Sequence, residues 1–366
     1  MKNIVVFFGG KSPEHDISVI TGVLTLNSMS KTHYNPLPVF IDKNGEWFTG
    51  EILFDLDNYK NLDYKKLKKV TLTPFSNTLY YMHRNKLKKY ASISSAINCC
   101  HGGNGENGNL SGLIEISGVA FCSPSALSSA LFMDKQKTKT ALKGIGVKTL
   151  PSLLVNSLNV TQKQIESFGF PLIVKPNFLG SSIGIKKVND YDELLSAISY
   201  ALKYSNQALI EPFLEEFTEI NCAVYSNHKG DLVVSECERP ISKNDILSFT
   251  DKYKNGTREF PAKIPKNVAD KIKEITGKIY DSYIGKGVVR IDFFVCEEKV
   301  FVNEVNTVPG SLAYYLFCDT LKEFSVMLEE LICAGEKEFN KACSLKTEYS
   351  SGILTSFGSK SAKRLR

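Results

Sequence analysis

An α/β fold is what the sequence predicts, and three observations carry that reading. A short apolar run at residues 4–8 ends in Gly9-Gly10 and gives way to apolar residues at helical spacing, Ile17, Ile20, Val23 and Leu24. A second apolar stretch at residues 35–41 completes a strand, helix, strand start, which implies parallel pairing because parallel strands need such a crossover. Farther on, residues 217–345 alternate short apolar strands with long helical stretches such as 268–280 and 321–334. At roughly 150 residues per domain, the 366-residue chain has room for two or three domains.

Apolar residues make up 43% and charged residues 23%, which excludes wholesale disorder. Of the formal net charge of +6, four units come from residues 345–366, where Lys346, Lys360, Lys363, Arg364 and Arg366 face one acid, Glu348. The rest of the chain is close to neutral, so the basic character marks an exposed tail, and no nucleic-acid partner is expected. The nine cysteines show no CxxC spacing, as expected of reduced, buried thiols. The apolar run at 4–8 is too short for a signal-peptide core or a membrane span, so a cytoplasmic protein with no membrane partner is expected.

The elements follow in order. Residues 56–90 are rich in Lys and Tyr and read as a solvated helix face or an edge hairpin. Residues 91–100 read as a third buried strand that ends at His101 and a run of glycines. After Cys122-Ser123-Pro124 the pattern changes to a Lys-rich helix over 126–142, which places a domain boundary near residue 123. Short strands follow at 172–174 and 208–210, with a Gly/Ser loop at 180–184 between them. No repeat of fixed period occurs, which argues against a solenoid.

Three glycine-rich segments compete as ligand sites. Gly10-Lys11-Ser12 resembles the end of a P-loop, but Val5 stands where that motif requires Gly. Residues 103–108 satisfy GxGxxG, yet no acidic strand end follows about 20 residues later, so a nicotinamide or flavin enzyme is disfavoured. The third segment, Ile173-Val174-Lys175-Pro176 followed by Gly180-Ser181-Ser182-Ile183-Gly184, has the chemistry for a triphosphate. Lys neutralises phosphate charge while small residues let backbone and hydroxyl donors approach. Asp292, Glu304 and Asn306 lie at the ends of apolar strands, and alternation puts Glu304 and Asn306 on one side. Carboxylate and amide oxygens suit a hard cation such as Mg²⁺, so these three form the candidate metal set.

Eight segments in order resemble the motifs of ATP-grasp ligases and, within them, of the D-alanine–D-alanine ligase family. They are GGKSPEHDIS at 9–18, HGGNGENG at 101–108, MDKQKTK at 133–139, VKPNFLGSSIG at 174–184, IEPFLEEFTEINCAV at 210–224, DKY at 251–253, RIDF at 290–293 and NEVNTVPG at 303–310. The resemblance covers roughly residues 3–340. It implies a three-domain α/β fold with a Rossmann-like parallel N-terminal domain and nucleotide held between two antiparallel sheets. The corresponding boundaries are 1–123, 124–216 and 217–345, with a flexible basic tail at 346–366.

The same resemblance implies ATP-dependent joining of two D-alanines through an acyl phosphate, in a cytoplasmic homodimer that supplies peptidoglycan precursors. Glu14 would hold the first ammonium, His101 would sit beside its carboxylate, and Ser181 would join Glu14 and Tyr253 in a hydrogen-bonded triad. Lys135, Lys175 and Ser182 would contact phosphates, Glu211 and Leu214 the adenine, and Glu219 the ribose, with Lys252 and Tyr253 on a lid. Arg290 and the Gly310 amide would stabilise the oxyanion and the second carboxylate, and Asp292, Glu304 and Asn306 would bind two Mg²⁺ ions, with Mn²⁺ as the alternative. Taken alone, His101 reads as a strand-end histidine, Glu14 as an acid at a helix N-terminus and Tyr253 as a loop aromatic. Their place in the motif set makes them site candidates.

Departures from the family pattern are Asn107 where Asp is usual, Ser111 where Gln is usual, and Tyr315 where a Ser holds the second carboxylate. Tyr315 therefore enters the set as the residue lining the acceptor subsite. It leaves D-serine, D-lactate or another amino acid as alternative acceptors, although Lys252-Tyr253 argues against D-lactate. A non-catalytic nucleotide-binding protein is disfavoured because every phosphate and metal position is filled.

Overall fold

The computed structural model describes residues 1–241 and 257–356. Its first sheet has eight strands in the order β6-β5-β4-β3-β2-β1-β7-β8. These are β1 (Asn3–Gly9), β2 (Asn35–Ile41), β3 (Trp47–Thr49), β4 (Lys68–Thr71), β5 (Thr78–His83), β6 (Lys86–Ser92), β7 (Ser95–Asn98) and β8 (Ala120–Phe121). β2, β1, β7 and β8 pair in parallel, and β3 to β6 extend the sheet antiparallel. β2 begins N-P-L-P, and it tolerates two prolines because β3 pairs with it only at Phe40 and Ile41.

Helix α1 (His15–Met29) covers one face of this sheet. Its Val19, Val23, Leu26 and Met29 pack on Ile4, Val6 and Phe8, while Val5 and Phe7 face the opposite core with Leu110 and Ile114 of α3 (Asn109–Ile116). At Gly22 the helix comes so close to β1 that a Cβ would stand 2.2 Å from the Phe8 ring. The approach, rather than helix propensity, selects glycine there.

Two sequence expectations are corrected in this region. The single buried strand over 91–100 is two strands, because the chain crosses at Ile93 and Ser94 from the outer hairpin to the sheet centre. There the Ile93 N–H donates to Asn77 and the Ser94 N–H to Asn3. The solvated β5–β6 hairpin, with Lys86, Lys88 and Lys89 exposed, forms the outer edge, where lysines discourage further pairing. The helix over 126–142 is likewise two, α4 (Ala126–Met133) and α5 (Lys135–Gly144). Asp134 breaks it by leaving helical geometry and capping α5 through the Lys137 N–H.

A second sheet, ordered β11-β10-β12-β9, comprises β9 (Leu153–Val155), β10 (Leu172–Pro176), β11 (Lys186–Val188) and β12 (Ala208–Pro212), all antiparallel. Leu172, Val174, Ala208 and Ile210 point at α7 (Tyr191–Ala201) and leave Ile173, Lys175 and Glu211 on the other face.

The third sheet, β14-β13-β17-β18, is built from β13 (Thr218–Ser226), β14 (Leu232–Val234), β17 (Val288–Cys296) and β18 (Lys299–Asn306). Its Ile220, Cys222, Ile291, Phe293, Val300 and Val302 pack on α8 (Lys266–Tyr283). A small ribbon pairs β15 (Arg239–Ile241) with β16 (Thr257–Glu259). The last long helix, α9 (Leu321–Cys343), returns to the first sheet and joins its core through Phe324, Met327, Leu328, Leu331 and Ile332.

Candidate active site

The polar faces of the second and third sheets enclose a cavity of about 500 Å³. Lys135, Lys175, Ser182, Glu211, Leu214 and Glu219, the residues expected around a nucleotide, all line it. Lys252 and Tyr253 lie outside the described residues. Glu211 is buried between two cations, with Lys139 Nζ 2.6 Å from Oε1 and Lys175 Nζ 2.8 Å from Oε2. Burial pushes its carboxyl up, but the charges of Lys175 and Lys139 outweigh this and hold it below the usual range. Burial pulls the Lys139 ammonium down. Lys139 was not among the expected residues. The signal was its place four residues after Lys135, which puts both on one face of α5.

The far end of the cavity is set by the pairing of β17 with β18. Asp292 stands opposite Glu304 and Arg290 opposite Asn306, so four polar side chains share the face away from α8. The register slips between Asp292 and Phe293, which pair with Glu304 and Val302 and leave Asn303 as the extra residue of a β-bulge. Through the bulge Asn303 and Glu304, neighbours in sequence, both reach the cavity. Arg290 holds Asp292 through two bonds of 2.8 and 2.9 Å, and Asn306 Nδ2 donates to Asp292 at 3.1 Å. Lys135 Nζ lies 3.0 Å from Glu304 and 2.8 Å from the Leu179 carbonyl, and Lys175 donates to Asn303 at 3.3 Å. Two carboxylates and an amide on one face form a donor set that suits Mg²⁺. Among the described residues, no three His, Cys, Asp or Glu converge as a metal cluster.

On the side of the first sheet, Glu14 precedes α1 and accepts a hydrogen bond from Ser181. A second, small cavity of about 20 Å³ is lined by Glu14, Glu106, Gly180, Glu304, Asn306 and Thr307, among others. It meets the larger one at Gly180 and Glu304. His101 is buried, with Nδ1 2.6 Å from the Val308 carbonyl and Nε2 2.9 Å from Thr21 Oγ1. A carbonyl only accepts, so Nδ1 carries the proton, and burial lowers the ring's pKa to about 4, which keeps it neutral.

Glu106 was also absent from the expected set, although its motif was recognised. It accepts from the Gly102 and Val308 N–H groups, and burial followed by the charge of Glu14 raises its pKa to about 7. Gly310 opens the turn Gly310–Leu316, in which Ser311, Leu312 and Ala313 all have φ near +52°. Tyr315 is half-buried. Its ring lies 4.7 Å from the Arg258 guanidinium, and its hydroxyl accepts from Arg290 at 3.4 Å.

A lysine-lined cleft between two antiparallel sheets, beside a parallel α/β domain, is the architecture of an ATP-grasp ligase. The D-ala D-ala ligase N-terminus model matches residues 3–124 and the D-ala D-ala ligase C-terminus model matches residues 144–334. The chain therefore belongs to the D-alanine–D-alanine ligase family. It is 37% identical over 353 residues to the D-alanine--D-alanine ligase of Thermosipho melanesiensis, covering 93% of this chain and 95% of that protein. Among solved structures, the D-alanine-D-alanine ligase of Helicobacter pylori aligns with a TM-score of 0.76 at 32% identity, over 91% of this chain and 98% of that one. The VanG D-Ala:D-Ser ligase of Enterococcus faecalis aligns at 0.78 and 27% identity, over 91% and 99%.

Two stability predictions follow from buried charge. Lys139→Met leaves Glu211 paired one-to-one with Lys175, whereas Glu211→Gln leaves two buried cations without their anion. The second should cost about 3–5 kcal/mol and the first less, and urea unfolding of both variants at pH 7 ranks them; the reverse order would remove Glu211 as the cluster's anchor.

The other concerns His101. Its unfolded pKa near 6.5 exceeds the folded value of about 4, so the unfolded state binds more protons between them. The His101 contribution to stability is thus complete above pH 6.5 and is lost as pH drops towards 4, by up to about 3 kcal/mol. The loss in this window should shrink by that amount in His101→Gln, and an unchanged pH profile would show that the ring is not held neutral.

Proposed function

We propose that the chain joins two D-alanines to D-alanyl-D-alanine with conversion of ATP to ADP and phosphate. One observation carries the reading: the nucleotide-sized cavity and the small pocket beside Glu14 and Glu106 meet at Gly180 and Glu304. A γ-phosphate at the end of the first would stand next to an amino acid in the second. The carboxylate oxygen of the first D-alanine attacks the γ-phosphorus, the bond to the ADP oxygen breaks, and an acyl phosphate forms. The amine of the second D-alanine then adds to the acyl carbon, loses a proton and expels phosphate.

In this reading Glu14 receives the first ammonium, with Ser181 fixing its carboxylate and Tyr253 as the third member of the triad. Neutral His101 stands beside the first carboxylate, with both ring nitrogens already held by Val308 and Thr21. Lys135, Lys175 and Ser182 hold the phosphates, Glu211 and Leu214 the adenine and Glu219 the ribose, and Lys252 is a further nucleotide-binding candidate. Arg290, aimed by its two bonds to Asp292, and the Gly310 amide receive the tetrahedral oxyanion and the second carboxylate. Catalysis of this kind is positioning and charge stabilisation. Asp292, Glu304 and Asn306 would hold two Mg²⁺ ions, or Mn²⁺, which when bound offset the charge of the phosphate oxygens.

A D-serine acceptor is the second reading, favoured by Tyr315 at the acceptor side and by the D-Ala:D-Ser ligase among the structural relatives. The domain limits 1–123, 124–216 and 217–345, the tail from 346, a cytoplasmic location and a homodimer complete the proposal. No helix among the described residues is long and apolar enough to cross a membrane.

The test is phosphate release with D-alanine and D-serine, singly and together, with mass analysis of the product. Dipeptide formation that requires both Mg²⁺ and D-alanine is expected, and well-folded protein that binds ATP yet yields no dipeptide would overturn the reading. Glu304→Gln should lower turnover at least about 10²-fold at saturating Mg²⁺ with the fold intact, because a carboxylate facing the transferred phosphate is lost. Near-normal turnover would remove Glu304 from the metal set.

A further inference from the structure

Thr21 is fully buried on α1, two helical turns beyond Glu14 and on the same face as Ser18 and Thr25. Its hydroxyl oxygen accepts from the Ser311 N–H at 3.0 Å and lies 2.9 Å from His101 Nε2. Since Nδ1 must donate to the Val308 carbonyl, the neutral ring has a lone pair at Nε2, and the Thr21 O–H donates to it. A directional chain results, from the Ser311 N–H to Thr21, from Thr21 to His101, and from His101 to Val308. Every member of it is satisfied, and it binds the start of the 308–313 segment at both ends.

That segment needs such a tether. Ser311, Leu312 and Ala313 are three consecutive non-glycine residues in the left-handed region, a conformation that surrounding structure must enforce. Glu106 grips the Val308 N–H at one end, while Thr21 grips the Ser311 N–H at the other. Gly310 lies between them.

We infer that Thr21 is a positioning residue for the second amino acid: through Ser311 and His101 it fixes the segment containing Gly310 from the helix that begins beside Glu14. The inference rests on the ligase reading. Thr21→Val keeps the shape but leaves both the Ser311 N–H and His101 Nε2 without their partner.

The experiment is steady-state kinetics of the full chain at saturating ATP, resolving the Michaelis constants of the first and second D-alanine. Thr21→Val should raise the second constant at least about tenfold, more than the first, to which Thr21 is linked only through His101, and leave that of ATP within about threefold, while Thr21→Ser restores wild-type values. A second constant that does not move, three constants that rise together, or a Ser variant that behaves like Val would each overturn the inference. Imidazole ¹⁵N spectra of the wild type supply a check that no folding defect obscures. The Nδ1–H tautomer of His101 is expected, and an Nε2–H tautomer would break the chain and the inference with it. Wild-type protein that makes no dipeptide overturns the ligase reading instead, whereas active wild type with an unaffected Thr21→Val overturns the role of Thr21 alone.

Discussion

The register of β17 on β18 is the constraint on which the rest of the site depends. A strand has two faces, and here one is committed to α8 through Ile291, Phe293, Val300 and Val302. Only the alternate positions remain for chemistry, and strict alternation would have placed Asn303 and Glu304 on opposite sides. The single extra residue at Asn303 removes this conflict. It lets one sheet bury an unbroken apolar face and still present Arg290, Asp292, Asn303, Glu304 and Asn306 together. Lys135 and Lys175 then reach across from α5 and the second sheet to Glu304 and Asn303.

The polar chemistry is supported by an apolar core that ignores the order of the chain. Ile4, Val6 and Phe8 of β1 and Leu26 of α1 share one cluster with Ala223 and Tyr225 of β13, with Val308 and Leu312, and with α9. The first sheet and the third are therefore locked side by side. That locking gives hydrogen bonds as short as those of His101 to Val308 a fixed geometry to work in. The second sheet has a separate core against α7 and meets the others chiefly across the polar cavity.

Much of this was legible in the sequence, and the reasons differ by element. β2 was read over its observed span because an apolar run bounded by polar residues needs no knowledge of its neighbours. Lys175, Asp292 and Glu304 stood out by their chemistry beside a Gly/Ser loop and at strand ends, whereas motif order brought Glu14, Lys135 and Glu211 forward by their place in a set rather than by residue type. What escaped were features defined by a partner far along the chain. The bulge at Asn303 exists only relative to β17, and Thr21 looks like an indifferent helix residue until Ser311 and His101 are seen around it. The break at Asp134 was missed for a local reason: apolar and lysine periodicity continues through it, and only the carboxylate's bond to the Lys137 N–H shows that one helix has ended.

The position of α9 has a consequence for how the molecule comes into being. On the same face of the first sheet that α1 packs against, Phe324, Leu328 and Ile332 cover the apolar surface beside that helix, and Gly335 passes so near Cys122 that a Cβ would stand 2.7 Å from it. Glu336 ties both Lys2 and Ser95 to the same helix. During synthesis the strands of the first sheet leave the ribosome long before this cover does, and in that interval their apolar face is open to solvent and to other chains. The contact that closes it spans some 300 residues of sequence, so it carries a large loop-closure entropy and forms late. The domain made first is thus among the last to be finished, and its need for protection from self-association is greatest while the rest of the chain is still being translated.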